Sequence, residues 1–161
     1  TLHANSAPAI INRLLDMGID PFKLKDPELI RGLLSQRLFK KLCPKCREPI
    51  SRHPEHPSYK RLENALGRYG IEQSYIKGAG CAFCGGKGIV GRIVASEIIL
   101  PDSKFLEKIV NGNKGEAVHY WTSELSGRTL KEDAIEKMLR GIIAVDEVER
   151  WCGMLDAEAV Y

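Results

Sequence analysis

What the 161-residue chain lacks narrows it first. It has no run of about 18 apolar residues, the length that a membrane-spanning helix requires. Its first residues carry no charged-then-apolar leader pattern. Charge of one sign does not dominate either: the net charge is +3, with 28% charged and 43% hydrophobic residues. The low hydrophobicity and high net charge that keep a chain disordered are therefore missing. Aromatics are sparse, at two Trp, five Tyr and four Phe, yet sufficient to anchor a core. No His-Glu-x-x-His, no Ser-His-Asp set and no paired-carboxylate site is recognisable. A phosphate-binding Gly-x4-Gly-Lys-Ser/Thr loop is missing too. The nearest stretch, Gly80 to Gly88, has Lys87 before Gly88 and no hydroxyl placed for Mg²⁺. There is also no initial Met. Thr1-Leu2-His3 reads as the tail of a strand already under way, so the chain is expected to be a piece of a longer protein.

The modest net charge hides a split. Residues 1–90 carry 15 Lys/Arg against 8 Asp/Glu, and residues 91–161 carry 9 against 13, giving +7 and −4. Such asymmetry predicts two regions with different surfaces, the basic one suited to phosphate, acidic lipid or an acidic partner. Arg37 to Arg47 holds five basic residues and no acid, but Phe39 is its one aromatic. That is a weak nucleic-acid signature, and no specific nucleic-acid partner is expected.

Cysteine carries the strongest signal. Cys43 and Cys46 form one Cys-x2-Cys pair, Cys81 and Cys84 another, with 34 residues between them. A short knuckle aims two thiolates at one point, and two knuckles close a tetrahedral four-sulfur shell suited to Zn²⁺. Cys43-Pro-Lys-Cys46, and Cys81-Ala-Phe-Cys84 before Gly85-Gly86, have the composition of such knuckles. Lys45, Arg47 and Lys87 are placed to offset the negative charge. Two disulfides or a redox Cys-x-x-Cys remain alternatives, without a sign of secretion or a thioredoxin-like pattern to favour them. The long gap requires an inserted helix, and Tyr59 to Tyr69 supplies one. His53 and His56, in a Pro-rich loop, read as exposed residues rather than substitute ligands. Cys152 reads as a small core residue.

Along the chain, residues 1–5 read as a strand end. Asn5 or Ser6 caps a helix to about Met17, with Ile10, Ile11, Leu14 and Leu15 inward and Gly18 as the stop. Glu28 to about Leu34 reads as a short helix, and Arg37 to Leu42 as a strand feeding the first knuckle. Gly88 to Leu100 is β-rich. Asp102 caps a helix ending near Asn111-Gly112, and another covers about 114–124. Thr129-Leu-Lys-Glu132 is a capping box for a helix stopped by Gly141. Val145 to Leu155 is the last helix, so the C-terminal third reads as a small helical bundle.

Several of these segments, in order, resemble the secretion and pilus-assembly ATPases (the GspE/PilB family). Thr1-Leu2-His3-Ala4-Asn5 is similar to the family's His box. Arg13-Leu-Leu-Asp-Met-Gly18 resembles the helix that follows it. Gln36-Arg37-Leu38 with Leu42-Cys43-Pro44-x-Cys46 looks like its Gln-Arg-Leu…Leu-Cys-Pro-x-Cys strand. Cys81-x-x-Cys84, Gly88, Gly91-Arg92 and Glu97 are similar to its second knuckle and Gly-Arg strand pair. Gly141 and Asp146-Glu147-Val148 resemble its closing segment. Two departures stand out: Ala4 where Thr is usual, and Ile143-Ala144 where Thr-Ser would cap a helix.

The resemblance implies an α/β fold: the end of a RecA-like core (1–42), a tetracysteine zinc subdomain with a β-hairpin (43–100) and a helical C-terminal subdomain (101–161). It implies a cytoplasmic, homo-hexameric ATPase, peripheral at the bacterial inner membrane. ATP and Mg²⁺ would be its cofactors in the full-length protein, beside structural Zn²⁺ on Cys43, Cys46, Cys81 and Cys84. Its partner would be an inner-membrane platform protein, and both nucleotide-binding Walker motifs would precede Thr1. His3 would sense the γ-phosphate and Arg37 approach nucleotide phosphates, while Arg92 would pair with Glu97 across the hairpin. A stand-alone zinc-bearing docking module, or a nucleic-acid-binding one, is the alternative.

Overall fold

The computed structural model describes residues 2–157. Helices α1 (Ala7–Asp16), α2 (Pro21–Leu24), α3 (Tyr59–Gln73), α4 (Ser103–Val110), α5 (Lys114–Ser123), α6 (Leu130–Leu139) and α7 (Val145–Cys152) accompany strands β1 (Leu33–Leu42), β2 (Glu48–Pro49), β3 (Tyr75–Ile76) and β4 (Ile89–Ile99). The architecture is mixed α/β with two two-stranded sheets, β1–β4 and β2–β3. No described helix is long and apolar enough to cross a membrane.

The chain packs into two compact units that interleave along the sequence. Among the described residues, one comprises those up to Gln36 and Ser96–Leu130; the other comprises Arg37–Ala95 and residues 131–157. In the first unit, α1, α4 and α5 surround a core of Ala7, Ile11, Leu24, Leu33, Ile99, Phe105, Leu106, Ile109, Val118 and Trp121. Phe105, Leu106 and Ile109 are fully buried, each contributing about 1.5–3 kcal/mol by removal from water. The helix ends are set locally. Ser6 Oγ accepts from Ala9 N, and Asp102 Oδ1 accepts from Phe105 N at 2.8 Å. Gly18, at φ +80°, ends α1 as its position suggested.

Glu97 is the buried polar anchor of this unit, 4% exposed. One carboxylate oxygen accepts from Ala7 N, the first residue of α1, and the other from Leu130 N, the first of α6, at 3.1 Å. Two helix N-termini thus converge on one carboxylate, whose charge their unpaired N–H groups stabilise. The expected Arg92–Glu97 pair is absent: Arg92 is exposed, and the 88–100 run forms one strand, β4, paired with β1 rather than a hairpin of its own.

Three other expectations fail locally. Residues 2–5 are neither strand nor helix, and Thr1 lies outside the described residues. Residues 28–34 form no helix. Helix α2 starts earlier, where Asp20 Oδ1 accepts from Phe22 N behind Pro21. Asp26 then turns the chain by accepting from Glu28 N through its side chain and from Leu29 N and Ile30 N through its carbonyl. Leu33 and Leu34 follow into β1. Helix α7 stops at Cys152, short of Leu155, and Cys152 is half-buried rather than a core residue.

In the second unit, β1 is held on the side of residues 142–147. Leu42 N donates to Ile142 O at 2.8 Å, Lys41 bridges Ile143, and Lys40 N donates to the buried Glu147 carboxylate at 3.2 Å. Helix α3 runs longer than Tyr59 to Tyr69 and is broken at Gly67, whose φ of +61° and ψ of −159° leave the helical region. It is tied to α7 by Arg61, whose Nε and Nη2 reach the Glu149 oxygens at 2.6 and 2.7 Å. Ala144 precedes α7 with no side-chain capping bond, the consequence expected of Ile143-Ala144.

Candidate metal centre

Each Cys-x2-Cys pair folds as a tight turn. In the first, Arg47 N donates to Cys43 O at 3.0 Å. In the second, a single 3-10 turn covers Ala82–Cys84, with Cys84 N on Cys81 O at 3.2 Å and Gly86 N on the same carbonyl at 3.0 Å. The first knuckle follows β1 and the second precedes β4, so pairing of these strands brings the knuckles together. Cys43 N donates to Gly88 O at 3.0 Å at that junction.

Two glycines permit the approach. A Cβ on Gly78 would occupy the position of Cys46 O, and one on Gly80 would collide with the Gly86 carbonyl. Gly80 also sits at φ +109°, where an L side chain is strained.

The four sulfurs lie within 4.8 Å of one another. Cys43 Sγ is 3.8 Å from Cys81 Sγ, and Cys84 Sγ is 3.9 Å from both Cys46 Sγ and Cys81 Sγ. Sulfurs around a tetrahedral ion with metal–sulfur bonds of about 2.3 Å stand about 3.8 Å apart. The shell therefore has the size of a zinc tetrathiolate, while disulfides would need sulfurs about 2 Å apart. All four cysteines are free thiols, with Cys43 and Cys84 buried.

Backbone donors serve the sulfur of Cys84: Cys81 N at 3.3 Å and Gly88 N at 3.1 Å. These bonds, first the one from Cys81, favour the thiolate and lower its pKa to about 6. Burial and the neighbouring thiols push Cys46 up to about 12. Four thiols this close cannot all ionise without a cation among them, and a metal ion would supply that charge.

The flanking charges are used differently from what the sequence suggests. Arg47 does not face the sulfurs. Its guanidinium lies 4.2 Å from the Tyr75 ring centroid, and Nη1 donates to Gly141 O at the end of α6. His53 and His56 are half-buried rather than exposed. His53 bonds Glu48 at 2.8 Å and Glu55 at 3.2 Å through its two ring nitrogens, and His56 Nδ1 accepts from Ser58 N. Arg37, half-buried on β1, places its guanidinium 5.7 Å from the Trp151 ring. His3 is exposed on the lead-in to α1. The roles of Glu97, Glu147 and Glu149 as buried anchors were missed by the sequence reading. Glu97 stands as a lone acid in an apolar run, whereas Glu147 and Glu149 lie in the charged run 146–150 with nothing local to mark them as buried.

A shell of four thiols that could hold a metal ion, built by two knuckles on paired strands, defines the chain's chemical class. The sequence profile of the family described as "Type II/IV secretion system protein" matches residues 1–150, and the chain belongs to that family. It is 33% identical over 154 residues to the type IV pilus assembly ATPase PilB of Thermus thermophilus, covering 92% of this chain and 16% of the relative. It is 31% identical over 150 residues to the type II secretion system ATPase E of Vibrio cholerae, covering 93% and 28% respectively. With the type II secretion system protein E of Klebsiella pneumoniae, identity is 36% over 161 residues, covering 99% and 30%. The chain thus spans less than a third of the length of these curated relatives.

Proposed function

We propose that this chain is the C-terminal, zinc-binding part of a hexameric ATPase that powers pilus assembly or type II-like secretion. Family membership across residues 1–150 carries this reading. In it, Cys43, Cys46, Cys81 and Cys84 hold one structural Zn²⁺. The ion closes the two knuckles and supplies folding energy rather than chemistry. Residues 1–42 complete a RecA-like core, 43–100 form the zinc subdomain, and 101–161 form the C-terminal subdomain. The full-length protein works in the cytoplasm at the inner membrane, coupling ATP hydrolysis to a platform protein.

Phosphoryl transfer is mostly positioning and electrostatic stabilisation of the phosphates. In this proposal the loops that hold ATP and Mg²⁺ lie outside residues 1–161, and the chain alone hydrolyses no ATP. His3 contributes one hydrogen bond toward the γ-phosphate; its exposure on a short lead-in leaves the imidazole accessible to a nucleotide. Arg37, held over Trp151, is the second phosphate contact.

The test is ATP turnover by the full-length protein carrying His3→Ala, with hexamer size measured alongside. Loss of a hydrogen bond directed at developing charge lowers the rate about 10²-fold or more. Wild-type turnover in a hexamer of normal size would remove His3 from the site. Absence of ATPase activity in the unmodified full-length protein would contradict the reading as a whole.

A further inference from the structure

Beside the second knuckle lies an open cleft of about 400 Å³, lined chiefly by Lys40, Phe83, Cys84, Lys87, Val90 and Arg92. Its three cations come from separate segments: β1, the knuckle loop and β4. Among the described residues, none of the three side chains has a carboxylate partner, and no acid lines the cleft. Several other cations of the same unit are engaged. Arg61 holds Glu149, Lys137 holds Asp133, and Arg47 is spent on carbonyls and Tyr75. Phe83, which apolar burial would ordinarily hide, stands 63% exposed at the cleft. Nothing lies within 4 Å of the space a Cβ on Gly91 would take, so a visiting chain can approach the backbone there.

We propose that this cleft docks an acidic protein segment that presents an apolar side chain to Phe83. The choice of occupant follows from the lining. Three unpaired positive charges attract and orient carboxylates, while Phe83, Ile89 and Val90 give an apolar residue a dry contact. A free phosphate asks instead for donors converging on one point, usually backbone N–H groups at a helix N-terminus. No helix N-terminus lines this cleft, and Gly88 N is already committed to the Cys84 sulfur. A single-stranded nucleic acid needs a row of stacking aromatics, and Phe83 stands alone. The cleft is part of the second knuckle, so its shape depends on the cysteine shell being closed. The inference does not depend on the ATPase reading.

The experiment uses the zinc-loaded full chain and a fluorescein-labelled synthetic peptide of about twelve residues, rich in Glu and carrying one central Trp. Anisotropy is read at low and high salt. Binding should weaken with salt, fall at least tenfold in Lys87→Glu/Arg92→Glu, and fall several-fold in Phe83→Ser. A Lys23→Glu/Lys60→Glu variant makes the same charge change on exposed sites outside the cleft and should change affinity less than twofold. Should the cleft double variant lose zinc, Lys40→Glu reads the same cleft from β1, away from the knuckle, with the same expected direction. Equal weakening in the cleft and surface variants would reduce the effect to non-specific attraction and overturn the proposal. So would an unchanged affinity in Phe83→Ser. Displacement of the peptide by low-millimolar inorganic phosphate, a short oligonucleotide or anionic phospholipid vesicles would reassign the cleft to that chemistry and overturn it equally.

Discussion

Arg61→Ala should destabilise the protein more than Glu149→Gln, although both break the same ion pair. The Glu149 side chain is 6% exposed and that of Arg61 30%. Removing Arg61 strands a buried carboxylate with only Ser58 Oγ, at 2.5 Å, and Leu155 N, at 3.4 Å. An uncompensated buried charge of this kind costs about 3–5 kcal/mol. Glu149→Gln removes the buried charge, and the part-exposed guanidinium can turn to water, so about 1.5–3 kcal/mol is expected. The pH dependence separates the two further. Burial raises the Glu149 pKa, but hydrogen bonds from Arg61 and Ser58 outweigh it and hold the carboxyl below its ordinary value of 4.5. A carboxyl with a folded value below its unfolded one stabilises fully above the unfolded value and loses that contribution as pH falls through the folded one. The gap between wild type and Glu149→Gln should therefore be constant near neutrality and shrink below about pH 4.5. Urea unfolding, with wild type and variant compared at each pH between 3.5 and 7 under the same metal condition, provides the reading. Equal costs for the two variants, or a gap that widens toward acid, would refute the argument.

Glu97→Ala should cost about 2–4 kcal/mol in thermal unfolding, because two helix N-termini lose a charged acceptor together. Gly127→Ala drives a Cβ into the fully packed Trp121 ring and should lower stability by about 1–3 kcal/mol, with a change in Trp fluorescence. Gly78→Ala places a Cβ on Cys46 O, displacing the first knuckle; competition with a chromophoric chelator should show at least tenfold weaker zinc binding.

Where the sequence encodes a structural reason locally, it was legible. The helix α1 cap at Ser6, the α4 cap at Asp102 and the stop at Gly18 each depend on one residue and its neighbours. The convergence of the four cysteines was legible because paired thiols at fixed spacing have few other uses. What was not legible depends on partners distant in sequence. Leu33 and Leu34 are good helix formers, and only pairing of β1 with β4 makes them strand. Arg47 was expected to face the sulfurs, but the carbonyl of Gly141, 94 residues away, takes its guanidinium. Glu97 was matched to Arg92 across an expected hairpin, whereas its carboxylate oxygens serve residues 90 and 33 positions away. His3 and Arg37 were singled out by resemblance alone. The structure places one on an exposed lead-in and the other over Trp151, and nucleotide chemistry at either is decided by the full-length protein.

The four-thiolate centre is the claim on which the rest depends, and metal content tests it most directly. Zinc should be quantified in the purified chain and in Cys81→Ser/Cys84→Ser, with cobalt substitution read by its thiolate-to-metal absorption. One zinc per chain, a tetrahedral four-thiolate cobalt spectrum, and loss of both in the double variant are predicted. Full zinc retention in the double variant, or four freely titrating thiols in a folded wild-type chain without metal, would contradict the account.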